Sequence, residues 1–390
     1  MDLVNYGVSE KYEEFAKYGD RLHEMGEKID WESLRPIFHG LYTNDTVMGG
    51  RPNIDPIIIN GDWCPCFLMF GGRPNIDPII MVKVLFIQST YNLVDEQVEK
   101  EMHNRIDFMH FLGFPDTIPD SRTIRLFRER ISSTGKDKIM WKEIWKQFED
   151  RGIIIKKGTV QDATFIESDP GKHGKKKPPV PADPSILLVK EKIADATTPK
   201  KKITKEEKKQ AKIKAAKKRA EKRDERKYSR TRRSKDGTWS KKGNATHFGN
   251  KLHTVQGTDI PLIKEFVVTT ASLHDSKIDL GIPGIPNYRD KGYSGTKTRG
   301  RDGTMDKAAR NRPLTAVQVW RNKRITRRRS PGERPYSVMK NIFHGGHVFV
   351  TMTRRTRVKA AFMCLGYNLL TLVSLEKNGG SSGFHVGNFI

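Results

Sequence analysis

From Ile79 to Gly152 the apolar positions recur at helical intervals. Ile124, Phe127 and Ile131 form one stripe, and Trp141, Ile144, Trp145 and Phe148 form another, which predicts amphipathic helices. Asp77-Pro78 predicts a helix start, with Asp77 as cap and Pro78 at the first helical position. Asp120 is placed to cap "SRTIRLFRERI", whose Arg122, Arg125, Arg128 and Arg130 set positive charge on its outer surface. Near Lys157 the period changes to two, and "KGTVQDATFIES" predicts a strand. Strand patterns return in "THFGNKLHTVQ" and "PLIKEFVVTTAS", joined through a hairpin turn at Gly257-Thr258-Asp259. "LHDSKIDL" predicts a short helix capped by Asp275, "PGERPYSVMKNIF" a helix and "GHVFVTMT" a strand. "RRTRVKAAFMCLGYNLLTLVSL" predicts a long, mostly buried helix in which Tyr367 and Asn368 are structural. A helical segment followed by strands and closing helices predicts an α/β architecture.

Two stretches break this order. Gly49–Ile58 recurs unchanged as Gly71–Ile80. The second copy runs into a helix. The first runs into "IINGDWCPCFLMF", where Asn60-Gly61 and Pro65 stop one. Two copies are too few for a solenoid, so residues 48–69 are taken as a local duplication without chemistry of its own. The second stretch begins at Pro170 with "PGKHGKKKPPVPADPS", a Pro/Lys linker. A polar helix with a capping box at Thr204 and Glu207 follows. Lys201–Lys235 holds 18 Lys/Arg against 5 Asp/Glu, a net +13 without an apolar face. It reads as a free basic helix or as a segment ordered by a partner.

Charge sharpens the picture. The chain has 390 residues, 36% hydrophobic and 30% charged, with a net charge of +26. That length suits two domains, and that charge favours a polyanionic partner, nucleic acid foremost. Cys64, Cys66 and Cys364 are odd in number and lack a Cys-x-x-Cys pair, which argues against a disulfide framework and a structural zinc site. The N-terminal stretch lacks a basic start and an apolar run, so no signal peptide is expected. Phe362–Leu375, the longest apolar stretch, is too short to span a bilayer. A soluble, intracellular protein is expected.

Three carboxylates stand out by context. Asp162 lies within the first strand, Asp290 at the end of a short strand before Lys291-Gly292-Tyr293, and Glu333 in a helix start after a run of arginines. Carboxylates brought together repel one another unless a cation neutralises them. Mg²⁺ and Mn²⁺ favour such oxygen ligands and keep positions for water and phosphate. Arg329 and Lys340, at i−4 and i+7 from Glu333, lie near its helical face. Glu167 and Asp169 lie close after Asp162, which is preferred because it sits within the strand. Lys251 and His253 share one strand face, where they touch DNA or are sheet-surface residues. The arginine-bearing helix near Arg122 and Arg125 either enters a DNA groove or is a solvated face of a core helix.

At these residues the chain resembles the DDE transposases of the bacterial and archaeal insertion-sequence type. The resemblance runs from about Gly71 to Leu375, through "GRPNIDPIIMVKVLFIQSTYNLVDEQVEKEMHNRIDFMHFLGF", "IPDSRTIRLFRERI", "QDATFIES", "FGNKLHTVQ", "VVTTASLHDS", "YRDKGYSG" and Arg329-x₃-Glu333-x₆-Lys340. It implies a ribonuclease H-like mixed-sheet catalytic domain over 153–376, interrupted by the basic insertion at 170–240. An all-helical DNA-binding domain over 1–152 precedes it and a flexible tail over 377–390 follows. Asp162, Asp290 and Glu333 become the triad that binds two Mg²⁺ or Mn²⁺ ions. Arg329 and Lys340 hold DNA phosphate or orient the glutamate. The family's tyrosine three positions before the arginine is Thr326 here, and the strand before Asp290 carries Pro283 and Pro286.

The function so implied is DNA transposition: cutting element ends in double-stranded DNA and joining them to target DNA. A homodimer in the prokaryotic cytoplasm, associated with the nucleoid and not with a membrane, would carry it out. Two rivals remain open, a metal-dependent nuclease on the same scaffold and a degenerate copy that binds DNA without catalysis. An RNA-binding role is disfavoured, because no aromatic-rich signature for single-strand recognition is present.

Overall fold

The computed structural model describes residues 11–38, 40–42, 75–171 and 234–377. The chain divides into two compact units, Met1–Ser168 with Asp236–Ile390, and Asp169–Lys235. Of the second unit only its two ends are described, where Ser234 N donates to Asp169 O at 3.2 Å. The first copy of the repeat, Cys64 and Cys66, the linker, the capping box at Thr204 and the C-terminal tail lie outside the described residues.

In the first unit the longer helices are α1 (Pro78–Thr90), α2 (Asp95–Asn104), α3 (Ser121–Thr134), α4 (Lys136–Asp150), α5 (Ala316–Arg329) and α6 (Thr353–Lys377). Asp77 caps α1 as expected, accepting from Ile79 N at 2.7 Å, and Arg35 holds that carboxylate at 2.9 Å. α1 is buried nearly all round, the mark of a helix inside a core. Asp120 caps α3, accepting from Thr123 N at 2.6 Å. Arg122 and Arg125 on α3 are exposed, but Arg128 is not. Its guanidinium turns inward and forks onto Asp95 at 2.7 and 2.8 Å while bonding Gln88 at 2.8 Å. Burial works against the Asp95 charge, yet the Arg128 fork overcomes it and holds the carboxyl below its usual range.

The seven strands described are β1 (Thr159–Ser168), β2 (Thr238–Lys242), β3 (Ala245–Gly257), β4 (Ile263–Thr270), β5 (Pro286–Arg289), β6 (Arg301–Thr304) and β7 (His347–Val348). They form one mixed sheet in the order β2-β3-β1-β5-β6, with β4 on β3 and β7 on β1. β1 is antiparallel to β3 and parallel to β5, and β5 is parallel to β6. Pro286 opens β5, the place in a strand where a missing N–H is tolerated.

One hydrophobic cluster runs from Leu22 and Phe86 through Ile144 and Leu252 to Phe362 and Val373, joining helices and sheet in this unit. β4 is docked by polar handles. Trp145 Nε1 and Asn368 Nδ2 both donate to Ile263 O at 3.0 Å, and Asn368 Oδ1 accepts from Ile263 N at 2.8 Å. Trp141 Nε1 donates to Lys264 O at 3.0 Å, and Tyr367 Oη to Pro261 O at 2.9 Å. Tyr367 and Asn368 are structural, as expected. These bonds satisfy backbone groups that a buried edge would leave unpaired.

Four local expectations change. The segment after Arg329 is not one α-helix: it passes from a 3₁₀ turn (Ser330–Glu333) through an α turn (Arg334–Ser337) to a π turn (Val338–Ile342). The "GHVFVTMT" strand shrinks to His347–Val348. His274, not Asp275, caps the 3₁₀ turn Asp275–Lys277, accepting from Ser276 N at 3.2 Å. Finally, α6 has 25 residues and is long and apolar enough to span a bilayer, yet 16 of them are buried inside the fold. Among the described residues the one free cysteine, Cys364, lies buried on α6.

Lys359 on α6 is the costly exception in this core. Its ammonium donates to Asn92 Oδ1 at 2.5 Å. Burial pushes it from 10.5 down to about 7, Arg128 pushes it further, and Asp95 opposes them. A base whose folded pKa is depressed costs most when both states are protonated, below about pH 7. That cost is relieved as pH rises from about 7 to 10.5. Lys359→Met should therefore gain stability over the natural chain near pH 7, with a gain that shrinks as pH rises. Urea unfolding across that window measures it, and a pH-independent difference would contradict the assignment.

Candidate active site

The site begins with a register. β1 and β5 run parallel with Thr159 opposite Asn287 and Val160 opposite Tyr288. Continued for two residues, the same offset sets Asp162 beside Asp290, where the ladder has ended. Adjacent strands lie about 4.8 Å apart, so two carboxylates are brought level at the open end of a parallel pair. Each is steadied by the amide that follows it. Ala163 N donates to Asp162 Oδ1 at 2.8 Å, and Lys291 N to Asp290 Oδ1 at 2.6 Å.

A single guanidinium lies between them. Arg329, at the end of α5, reaches Asp162 Oδ2 at 3.2 Å with Nη2 and Asp290 Oδ1 at 3.6 Å with Nη1. Its side chain is 17% exposed, against 52% for Asp290. Its Nε is buried without a hydrogen-bond partner, so this seat satisfies the guanidinium only in part. Burial pushes the Asp162 carboxyl up. The Ala163 amide, Arg329 and Lys242 pull it down, and Asp290 pushes it up.

Glu333 lies on the 3₁₀ turn that packs against β1. Gln256 Nε2 donates to Pro331 O at 2.8 Å. A Cβ on Gly332 would stand 2.6 Å from Val160 Cγ1, so only glycine lets this turn sit so close to the strand. Below it, Tyr336 Oη and Thr254 Oγ1 lie 2.7 Å apart, and Thr254 pairs with Asp162 across β1 and β3. The Glu333 side chain itself is exposed. Among the described residues no group of three or more His, Cys, Asp or Glu could hold a metal ion. The structure thus brings Asp162 and Asp290 onto one cation, with Glu333 on the neighbouring turn and not in that group. A carboxylate pair with a solvent-open side fits a hard divalent cation that keeps water and phosphate among its ligands.

Lys340 lies at the surface on the π turn, but its ammonium is partly desolvated by its neighbours, which pushes it down; Lys242 adds to this and Glu167 opposes it. Lys242, which no spacing singled out, thus acts on both Asp162 and Lys340. Thr326 turns back to its own helix, donating to Asn322 O at 2.9 Å. Lys251 and His253 do not lie on a surface that DNA reaches. Both are buried: Lys251 Nζ bonds Leu273 O and Asp275 at 2.8 Å, and His253 Nε2 lies 2.9 Å from Thr269 Oγ1. β3 is covered on both faces from Phe248 onward, so sharing a face confers no exposure. Burial also pushes His253 down to about 4, keeping it neutral near pH 7. Glu167 is held by His247 at 2.8 Å. Asp169 belongs to the other compact unit.

Arg289, in "YRDKGYSG", is a residue that sequence reasoning missed. It is fully buried next to Asp290 and bonds Thr304 Oγ1 and Thr296 O at 2.8 Å. That clamp holds the turn Lys291–Tyr293 beside the site. Nothing in the local pattern marks the basic residue before Asp290 as buried.

Residues 63–130 match the family described as "Transposase domain (DUF772)", and residues 193–369 match "Transposase DDE domain". The second match contains Asp290, Arg329, Glu333 and Lys340, and it begins after Asp162. The "Transposase for insertion sequence element IS1106" of Neisseria meningitidis serogroup B is 30% identical over 154 residues, which cover 35% of this chain and 52% of that protein. The chain therefore spans about half the length of this curated relative. No solved structure matches it.

The fit of Gly332 against Val160 makes a prediction. Gly332→Ala should push the turn bearing Glu333 off β1 and lower stability, and Val160→Ala added to it should restore much of the loss. Urea unfolding of the single and double variants measures this. Equal loss in both would place the fault elsewhere.

Proposed function

We propose, from the premise that the chain belongs to the DDE transposases of the insertion-sequence type, that it cuts DNA at element ends and joins the freed ends to target DNA. The observation that carries this reading is the convergence of Asp162 and Asp290 on one cation at the open end of two parallel strands. The strand order supports a ribonuclease H-like reading of the sheet. Three antiparallel strands, β4-β3-β1, continue into two parallel ones, β5 and β6.

In this reading Asp162 and Asp290, joined by Glu333, would hold divalent ions, Mg²⁺ or Mn²⁺ and two by resemblance. Such ions would supply neutralisation of developing charge and a nucleophile at neutral pH. Arg329 leaves the carboxylates for a DNA phosphate, the partner that its planar fork also suits. Lys340 and Lys242 take further phosphates along the same edge. Water attacks at the element end and frees a 3′-hydroxyl, which then attacks a target phosphodiester in line. Residues 1–152 act as the DNA-binding part, with Arg122 and Arg125 exposed on α3, and the basic insertion adds sequence-independent grip. Two ends acted on together imply a homodimer, working in a prokaryotic cytoplasm at the nucleoid. DNA binding should weaken steeply with salt as counterions are released.

A second reading has one observation in its favour. Glu333 does not join the other two carboxylates in a metal-holding group, which suits a copy that binds DNA without catalysis. A strand-transfer assay with end DNA and Mg²⁺ or Mn²⁺ separates the two. Asp162→Ala, Asp290→Ala and Glu333→Ala should each cut product by more than the roughly 10–100-fold that loss of even an outer-shell partner costs. A version lacking residues 49–70 should keep activity. Salt-sensitive binding with no metal-dependent product from the natural chain would favour the non-catalytic copy.

A further inference from the structure

α5 carries more charge and more exposed apolar surface than its own packing uses. Of its 14 residues only Asn322 and Ile325 are buried. Asn322 fastens the helix by exchanging bonds with the Asp306 backbone at 2.8 and 3.0 Å. Val317, Val319 and Trp320 stay in solvent, Trp320 at 59%. The helix holds Arg321, Lys323, Arg324, Arg327, Arg328 and Arg329, and no acidic residue. Cations in a last turn relieve the helix dipole, which accounts for Arg327 to Arg329. It does not account for Arg324, nor for an exposed indole beside it.

These side chains surround a cavity of about 340 Å³, lined by Trp320, Ile325, Tyr288 and four arginines. The Arg324 guanidinium lies over the Trp320 ring, 4.7 Å from its centre. Arg321 is already held by Asp306 at 2.9 Å. Arg324, Arg327 and Arg328 have no ion pair or hydrogen bond among the described residues. The volume falls in the usual range of about 300–1,000 Å³ for a small-ligand site. A ligand that satisfies both features carries negative charge and a flat aromatic face.

We propose that this cavity binds an unpaired stretch of DNA strand, the arginines taking its phosphates and the Trp320 indole stacking on a base. The inference rests on the transposase reading. Stacking on an exposed aromatic ring needs a base whose face is free, and paired bases in a duplex offer none. The position fits as well. Arg329 lies nine positions after Trp320, about 14 Å along a helix, so a strand lying along α5 leads from the cavity to the carboxylate pair.

The test is metal-free binding of a labelled oligonucleotide to the full chain, single-stranded or annealed to its complement. Trp320→Ala should weaken single-strand binding roughly tenfold, within the range for one stacked base, and leave duplex binding nearly unchanged. Trp320→Phe should recover most of the loss. Arg324→Gln with Arg328→Gln should flatten the salt dependence for the single strand. Unchanged single-strand binding by Trp320→Ala overturns the inference. So does a switch of that variant to a smaller oligomer in sedimentation, which would mark a self-association surface instead. Failure of the natural chain to bind either DNA overturns the transposase reading itself, whereas DNA binding by the natural chain with single-strand affinity unmoved by Trp320→Ala overturns this inference alone.

Discussion

The carboxylate pair depends on one strand register. Because β1 and β5 pair in parallel at a fixed offset, Asp162 and Asp290 arrive level with each other where the ladder stops. Two like charges so close raise each other's cost of ionisation, and an opposite charge must offset it. Arg329 does so in this structure, reaching both carboxylates from the end of α5. A slip of one residue would turn one of the two to the other face of the sheet and dissolve the pair.

Much of the remaining architecture holds that register in place. Trp141, Trp145, Tyr367 and Asn368 pin the backbone around β4 through bonds from the helices. Arg289 fastens the turn after Asp290 from within. Gly332 lets the turn bearing Glu333 settle on Val160, and the Tyr336–Thr254 contact lies beneath Asp162. The sheet and the helices that cover it share one apolar core, whereas the end that gathers the carboxylates is open and carries Arg329. Such a division is consistent with the DNA-directed chemistry proposed above.

Elements with a strong local signal were legible from the sequence. Alternation marked β1 with Asp162 inside it, Asp-Pro marked the start of α1, and the long apolar run marked α6. Features that depend on what packs against a segment were not legible. Lys251 and His253 share a strand face, but period-two alternation says nothing about exposure once a sheet is covered on both sides. Arg128 and Asp95 lie 33 residues apart, so an outward cation and half of a buried ion pair look alike. The segment from Ser330 to Ile342 has helical composition, yet it changes winding twice to fit the sheet. The resemblance named Glu333 through its distance from Arg329 and Lys340, a relation along the chain that does not specify where the carboxyl points.

The measurement closest to the central claim is anomalous scattering from crystals of the full chain grown with end DNA and Mn²⁺. Manganese should contact both Asp162 and Asp290, with Glu333 drawn in and the Arg329 guanidinium displaced toward a phosphate. Manganese bound elsewhere, or Arg329 still seated between the two aspartates with DNA in place, would contradict it.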